Sequence, residues 1–129
     1  DAGRTSSDFI VAAFNPADLI SAPSGTTHFR LINALAVLSD FSYNPTTGSY
    51  EPDDMVNNEL TNIAYSGYIP LNAAYAGSTI TATLPGAPVL DNKVSVIQCI
   101  GIEFFQEVNG VQYSLKNGAY NVLNIVEVA

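Results

Sequence analysis

The sequence predicts an all-β chain folded as one antiparallel β-sandwich domain, immunoglobulin-like or jelly-roll-like, spanning residues 1–129. Three observations carry that expectation. Runs of β-branched and aromatic residues recur along the whole length. Pro and Gly clusters that cannot continue a ladder separate them, and Asn-Gly pairs sit between the last runs, where a tight hairpin needs them.

In chain order the strand-like runs are Asp8 to Phe14, Thr27 to Leu38, Leu60 to Ile69, Thr79 to Leu84, Val94 to Val108, Val111 to Leu115 and Ala119 to Val128. They make about seven strands, the count expected of a small sandwich. The breaks fall at Ala22-Pro-Ser-Gly25, Asn44-Pro-Thr-Thr-Gly48 and Leu84-Pro-Gly-Ala-Pro88. Asn109-Gly110 supplies the positive φ angles of a type I′ turn, so Val94 to Leu115 reads as a hairpin. A second pair, Asn117-Gly118, turns the chain again and extends the reading to a three-strand meander.

Two strands are apolar on both faces. In the last one Tyr120, Val122, Val126 and Val128 share one parity while Leu123 and Ile125 share the other. In Val94 to Phe105 the sets are Val94, Val96, Ile100, Ile102, Phe104 and Ile97, Cys99, Phe105, with Gly101 marking a bulge or a close backbone approach. A strand buried on both faces belongs in the middle of a sheet or under a partner, yet one of these ends the chain. Two stretches fit one or two turns of helix better: Glu51-Pro-Asp-Asp-Met-Val-Asn-Asn-Glu59 and Leu71 to Ala76.

Charge narrows the partners. Twelve acids against four Lys and Arg give a net charge of −8, which repels a phosphate backbone and excludes nucleic acid. Charged residues make up 12% of the chain, about half the usual share, so short polar groups build much of the surface. Subunit packing tolerates such a surface well, since little side-chain entropy is lost there. No apolar run is long enough for a membrane-spanning helix. A chain starting at Asp1 reads as a mature product or an excised fragment.

The sequence offers no catalytic constellation and no cofactor motif. Cys99 sits in an apolar strand, where a thiolate is disfavoured, and reads as a buried small hydrophobe. His28 shares a strand face with Arg30 and reads as a surface or hydrogen-bonded structural residue. One His and one Cys do not build a zinc site, and neither a nucleophile elbow nor a phosphate-binding glycine loop occurs. Glu51, Asp53, Asp54, Asn57, Asn58 and Glu59 concentrate hard oxygens in a short span, with a solvated acidic loop as the plain reading and calcium as the sharper one. Glu103 and Glu107 mark a solvent edge.

Tyrosine is the one suggestive residue type, with seven present and no Trp. Tyr43 and Tyr50 flank the 44–49 turn, and Tyr65 and Tyr68 lie beside Gly67. Such tyrosines form a binding rim or pack the margin of a sandwich. The absence of Trp weighs against a sugar site.

The run Gly101-Ile-Glu-Phe-Phe-Gln-Glu-Val-Asn-Gly-Val-Gln-Tyr-Ser-Leu-Lys-Asn-Gly-Ala-Tyr120, with Thr27-His-Phe-Arg-Leu-Ile32, resembles segments in the carboxyl half of uncharacterised β-rich proteins of Bacteroidota. The resemblance implies a bacterial source and a missing amino-terminal part. It brings no activity and no functional residues.

The expectation that follows is a non-enzymatic, extracellular or cell-surface structural subunit. It self-assembles into a filament, a pilus-like fibre or a surface layer by adding terminal strands to a neighbour's sheet edge. The strands concerned carry Phe9, Ile10, Val11 and Phe14 at one end and Val122, Leu123, Ile125, Val126 and Val128 at the other. The alternative is a monomeric cell-surface binding module, holding a glycan or protein segment between Tyr43, Tyr50, Tyr65 and Tyr68, with calcium assistance in the 51–59 loop.

Overall fold

A computed structural model describes residues 3–115 and 122–129. The chain is all-β with antiparallel pairing throughout the described residues. Its strands are β1 (Ser6–Val11), β2 (His28–Ser39), β3 (Phe41–Asn44), β4 (Ser49–Pro52), β5 (Thr61–Tyr65), β6 (Ile69–Pro70), β7 (Ser78–Thr83), β8 (Val94–Val108), β9 (Val111–Ser114) and β10 (Val122–Val128). One short helix, α1 (Pro16–Leu19), follows β1.

The largest sheet runs β10-β8-β2-β5, with β6 also on β2 and β9 also on β8. Its spine is the pairing of β2 with β8, in unbroken register from His28↔Phe105 to Ser39↔Val94. Strict alternation explains its inner face: Phe29, Leu31, Asn33, Leu35, Val37 and Ser39 are buried, and the residues between them are not. On β8, Val94, Val96, Gln98 and Phe104 are buried on the same face. The β1–β7 ribbon covers that face with Phe9, Val11, Ile80 and Ala82.

The core is therefore in two parts. Phe29, Leu31, Ile69, Ile80 and Phe104 form one, and Leu35, Val37, Ala82, Leu84, Val94 and Val96 the other. Each large apolar side chain here contributes about 1.5–3 kcal/mol by leaving water. Between the parts lies a polar layer, fully buried Asn33 and nearly buried Gln98. Asn33 Nδ2 donates to Ser7 O at 3.0 Å and Ile80 O at 2.9 Å. Gln98 Nε2 donates to Asn33 Oδ1 at 3.1 Å and Asp8 O at 3.2 Å.

Several expectations are modified by the fold. The hairpin turn at Asn109-Gly110 is present, with φ of 54° and 79°. The meander is not continued beyond it: β10 pairs with Ile97–Ile102 of β8, and β9 with Phe105–Val108, so both lie along one edge of β8. A four-residue β9 leaves most of that edge open, and β10 fills it. Asn117-Gly118, together with Tyr120, lies outside the described residues. Gly101 is paired in register with Ile32 and Leu123, and the irregularity falls on β10 between Ile125 and Glu127.

Neither of the two helical stretches is a helix. Glu51 and Pro52 close the β3–β4 hairpin opposite Ser42 and Phe41, a position at a ribbon edge where Pro is tolerated. Residues 55–59 form turns, and Tyr75, in the alanine-rich stretch, bridges to Phe14. The helix forms instead at Pro16, where Asn15 Oδ1 accepts from Ala17 N at 3.3 Å as an N-cap with Pro behind it. The expected strand Leu60 to Ile69 is broken at Ser66-Gly67-Tyr68, because the Ser66 hydroxyl accepts from Leu31 N at 2.8 Å in place of a backbone carbonyl.

Candidate functional site

Arg4 and Ala129 are held within the protomer. Ala129 exchanges two backbone hydrogen bonds with Val96, at 2.6 and 2.7 Å. The Arg4 guanidinium donates to Ala129 O at 3.2 Å, Val94 O at 3.0 Å and Asp91 O at 2.5 Å, tying the start of the chain to its end. In β1, Phe9 and Val11 pack on the core, as does Phe14 beyond it, whereas Ile10 is exposed.

β10 is different. It is the last strand of its sheet, and no other described strand pairs with its outer edge. Ile125, Val126 and Val128 are 65%, 49% and 61% exposed. The irregularity after Ile125 disrupts simple alternation, so apolar side chains of both parities meet water. A seam of about 100 Å³ between the start of β1 and the end of β10 is lined by Arg4, Ser6, Ser7, Gln98, Glu127 and Ala129, together with Leu35 and Val96.

The tyrosines fall into two groups. Tyr43 and Tyr50 face each other on the β3–β4 hairpin, with ring centroids 5.5 Å apart. Tyr65 and Tyr68 instead line a cleft of about 530 Å³ between β5–β6 and β7, shared with Ser66, Tyr75 and Ser78 and backed by Ile69 and Ile80. Near one end of the cleft Thr83 N donates to Asn62 Oδ1 at 3.3 Å, and at Ser66–Tyr68 the strand that borders it is interrupted.

Each tyrosine of the cleft is held by its own partner. Arg30 stacks on Tyr65 with its guanidinium carbon 3.9 Å from the ring centroid, and Glu103 fixes Arg30 through a 2.9 Å ion pair. Tyr68 meets buried Phe105 edge to face at 4.9 Å. Tyr75 packs on Phe14 at 5.6 Å, and its hydroxyl hydrogen-bonds Ser78 Oγ. Sequence reasoning did not single out Tyr75, whose neighbours are alanines, and did not pair Arg30 with Glu103. That pair becomes visible only once β2 and β8 are in register, Arg30 opposite Glu103.

The remaining candidates are dispersed. His28 Nδ1 lies 2.9 Å from Thr27 Oγ1. Cys99 is a half-buried free thiol, less enclosed than its apolar run predicts, because β10 lies over an edge and not a face. In the acidic span Glu51 and Asp54 are bonded to neighbouring groups of the chain. Glu51 accepts from Asn44 and Thr47, and Asp54 accepts from the Asn57 amide and side chain; these bonds hold both groups below the usual carboxylate range. Among the described residues no three His, Cys, Asp or Glu side chains converge as a metal-binding group. No known family, curated protein or solved structure matches the chain.

Proposed function

We propose that this chain is an extracellular or cell-surface structural subunit that self-assembles, a strand of one copy adding along β10 of the next. The observation that carries the proposal is the last strand of the sheet, β10, paired with β8 on one side only and bearing exposed Ile125, Val126 and Val128. A long apolar edge left open is an aggregation template, and strand addition is the arrangement that satisfies it. The low charge fraction of 12% is consistent with close packing of copies. The reading involves no catalysis.

The finer architecture belongs to the same proposal. We read the β1–β7 ribbon facing β2 and β8 as the second layer of a sandwich, with the β1–β10 seam as its open side. Addition at β10 therefore extends the large sheet and covers the seam together. Head-to-tail addition propagates into a fibre, whereas β10 against β10 closes a two-fold dimer.

The test is light scattering and electron microscopy over a concentration series, comparing the native chain with an Ile125→Lys/Val128→Lys double variant. Growing particles or filaments in the native chain, abolished by the two lysines while the melting curve is retained, support assembly. A native chain that stays monomeric at millimolar concentration ends the proposal. Truncation of residues 1–14 is a poor probe, since Phe9, Val11 and Phe14 belong to the core.

A further inference from the structure

The Tyr65–Tyr68–Tyr75 cleft has no part in β10 assembly and lies on the other side of the β1–β7 ribbon. Its volume of about 530 Å³ falls within the ordinary range of ligand pockets, about 300–1,000 Å³. We propose that it binds a short neutral oligosaccharide.

Three features of the cleft specify that ligand class. First, its aromatic surface is preorganised. Tyr65 is clamped by Arg30 and Glu103, Tyr68 by Phe105, and Tyr75 by Phe14 and Ser78, yet Tyr65 and Tyr68 remain 48% and 47% exposed. Rings already fixed in place lose little freedom when the C–H face of a sugar stacks on them. Second, hydroxyls surround the rings: Ser66 and Thr81 already donate to Gly67 O and the Asp8 carboxylate, and Ser78 pairs with Tyr75, so they offer mainly acceptor capacity, while Thr79, Tyr65 and Tyr68 add hydroxyls of the kind a polyol needs. Third, no charged side chain lines the cleft. Arg30 stacks on Tyr65 with its charge answered by Glu103, the Asp8 carboxylate behind the lining accepts from Thr81, and the net charge of −8 repels an anionic glycan, which leaves a neutral ligand the best match to the lining. The absence of Trp weighs against a sugar site on sequence alone; the cleft offsets it by presenting Tyr65 and Tyr68 together, each already held by a packing partner.

The experiment is amide chemical-shift mapping on the native chain, titrated with cello-, manno-, xylo-, galacto- and chito-oligosaccharides. Sialylated and glucuronate-bearing sugars serve as charged controls, and a peptide of residues 122–129 as a strand probe. We expect at least one neutral sugar to shift the amides of Ser66, Gly67, Tyr68, Ser78 and Thr79. Affinity for that sugar should fall about tenfold or more in Tyr65→Ala and Tyr68→Ala, and hold within about twofold in Tyr43→Ala. Silence toward every neutral sugar, binding of the charged sugars alone, or shifts outside the cleft would overturn the proposal. So would cleft shifts from the peptide alone, which would make the cleft a protein site. The mapping needs no tyrosine variant, so it stands even where such a substitution fails to fold; repeating it on the Ile125→Lys/Val128→Lys chain, whose changes lie outside the cleft, separates sugar binding from β10 assembly.

Discussion

Gln98 Nε2 donates to Asn33 Oδ1 at 3.1 Å across the β2–β8 pair, joining two polar side chains in the middle of an apolar core. Through the remaining bonds of the two amides the large sheet grips the backbone carbonyls of Ser7, Asp8 and Ile80 in the ribbon that covers it. The ribbon is thus positioned by named hydrogen bonds as well as by apolar contact, and those bonds have meaning only in one register.

Asn33→Ala should destabilise the domain by about 1–3 kcal/mol, because Ser7 O and Ile80 O lose a buried donor and Gln98 loses an acceptor. Gln98→Ala should cost less, since it reaches one backbone carbonyl where Asn33 reaches two. The double variant should cost less than the sum of the two, with a coupling of about 1 kcal/mol. Urea unfolding of the four proteins measures it, and strict additivity would show that the two amides act separately.

The β10 edge separates assembly from stability. Ile125→Lys and Val128→Lys replace exposed side chains, so each should change unfolding free energy by no more than about 0.5 kcal/mol. Assembly, read by sedimentation velocity, should be lost. A large drop in the melting temperature would instead assign these residues to the protomer's own packing.

Two glycines divide conformational cost from steric cost. Gly77 has φ +91°, and a Cβ there would stand 2.7 Å from Val11 O, against the backbone that β1 presents to the turn. Gly48 has φ +74° with nothing within 4 Å. Gly48→Ala should cost about 1–2 kcal/mol, the penalty of a left-handed backbone. Gly77→Ala should cost about 3 kcal/mol or more, because strain and collision coincide. Thermal melting ranks them, and an equal loss would contradict the close approach of β1.

Acid should weaken the 44–59 region first. Glu51 titrates below its ordinary value because Asn44, then Thr47, donate to its carboxylate, and Asp54 because the Asn57 amide and side chain donate to it. A carboxylate whose folded pKa is depressed stabilises the fold above its unfolded value, and that stability is lost as pH falls through the folded one. The loss therefore begins in the ordinary carboxylate range and ends below it. A Glu51→Gln/Asp54→Asn variant should show a flatter acid limb in a plot of melting temperature against pH, and an unchanged limb would place the acid sensitivity elsewhere.

The sequence by itself determined the all-β antiparallel character, since the β-branched runs and the breaks between them leave little else. It determined the alternation of β2, whose buried residues follow period two from Phe29 to Ser39. It determined the Asn109-Gly110 hairpin, because only residues that accept positive φ fit that turn. The apolar composition of the last strand was legible as well, and Ile125, Val126 and Val128 do remain exposed. Tertiary structure decided everything that depends on which strand lies beside which. The β3–β4 hairpin was too short for its alternation to register, and Pro52 resembles a helix start until Phe41 is found opposite it. Asn33 and Gln98 look like interruptions of apolar strands until the β1–β7 ribbon supplies their acceptors. The cleft unites Tyr65 and Tyr68 with Tyr75, while Arg30, Glu103 and Phe105 support it from behind; these come from separate elements. Local propensity acts over a few residues, whereas these contacts join positions up to scores apart, and only the closed fold brings them within a few ångströms.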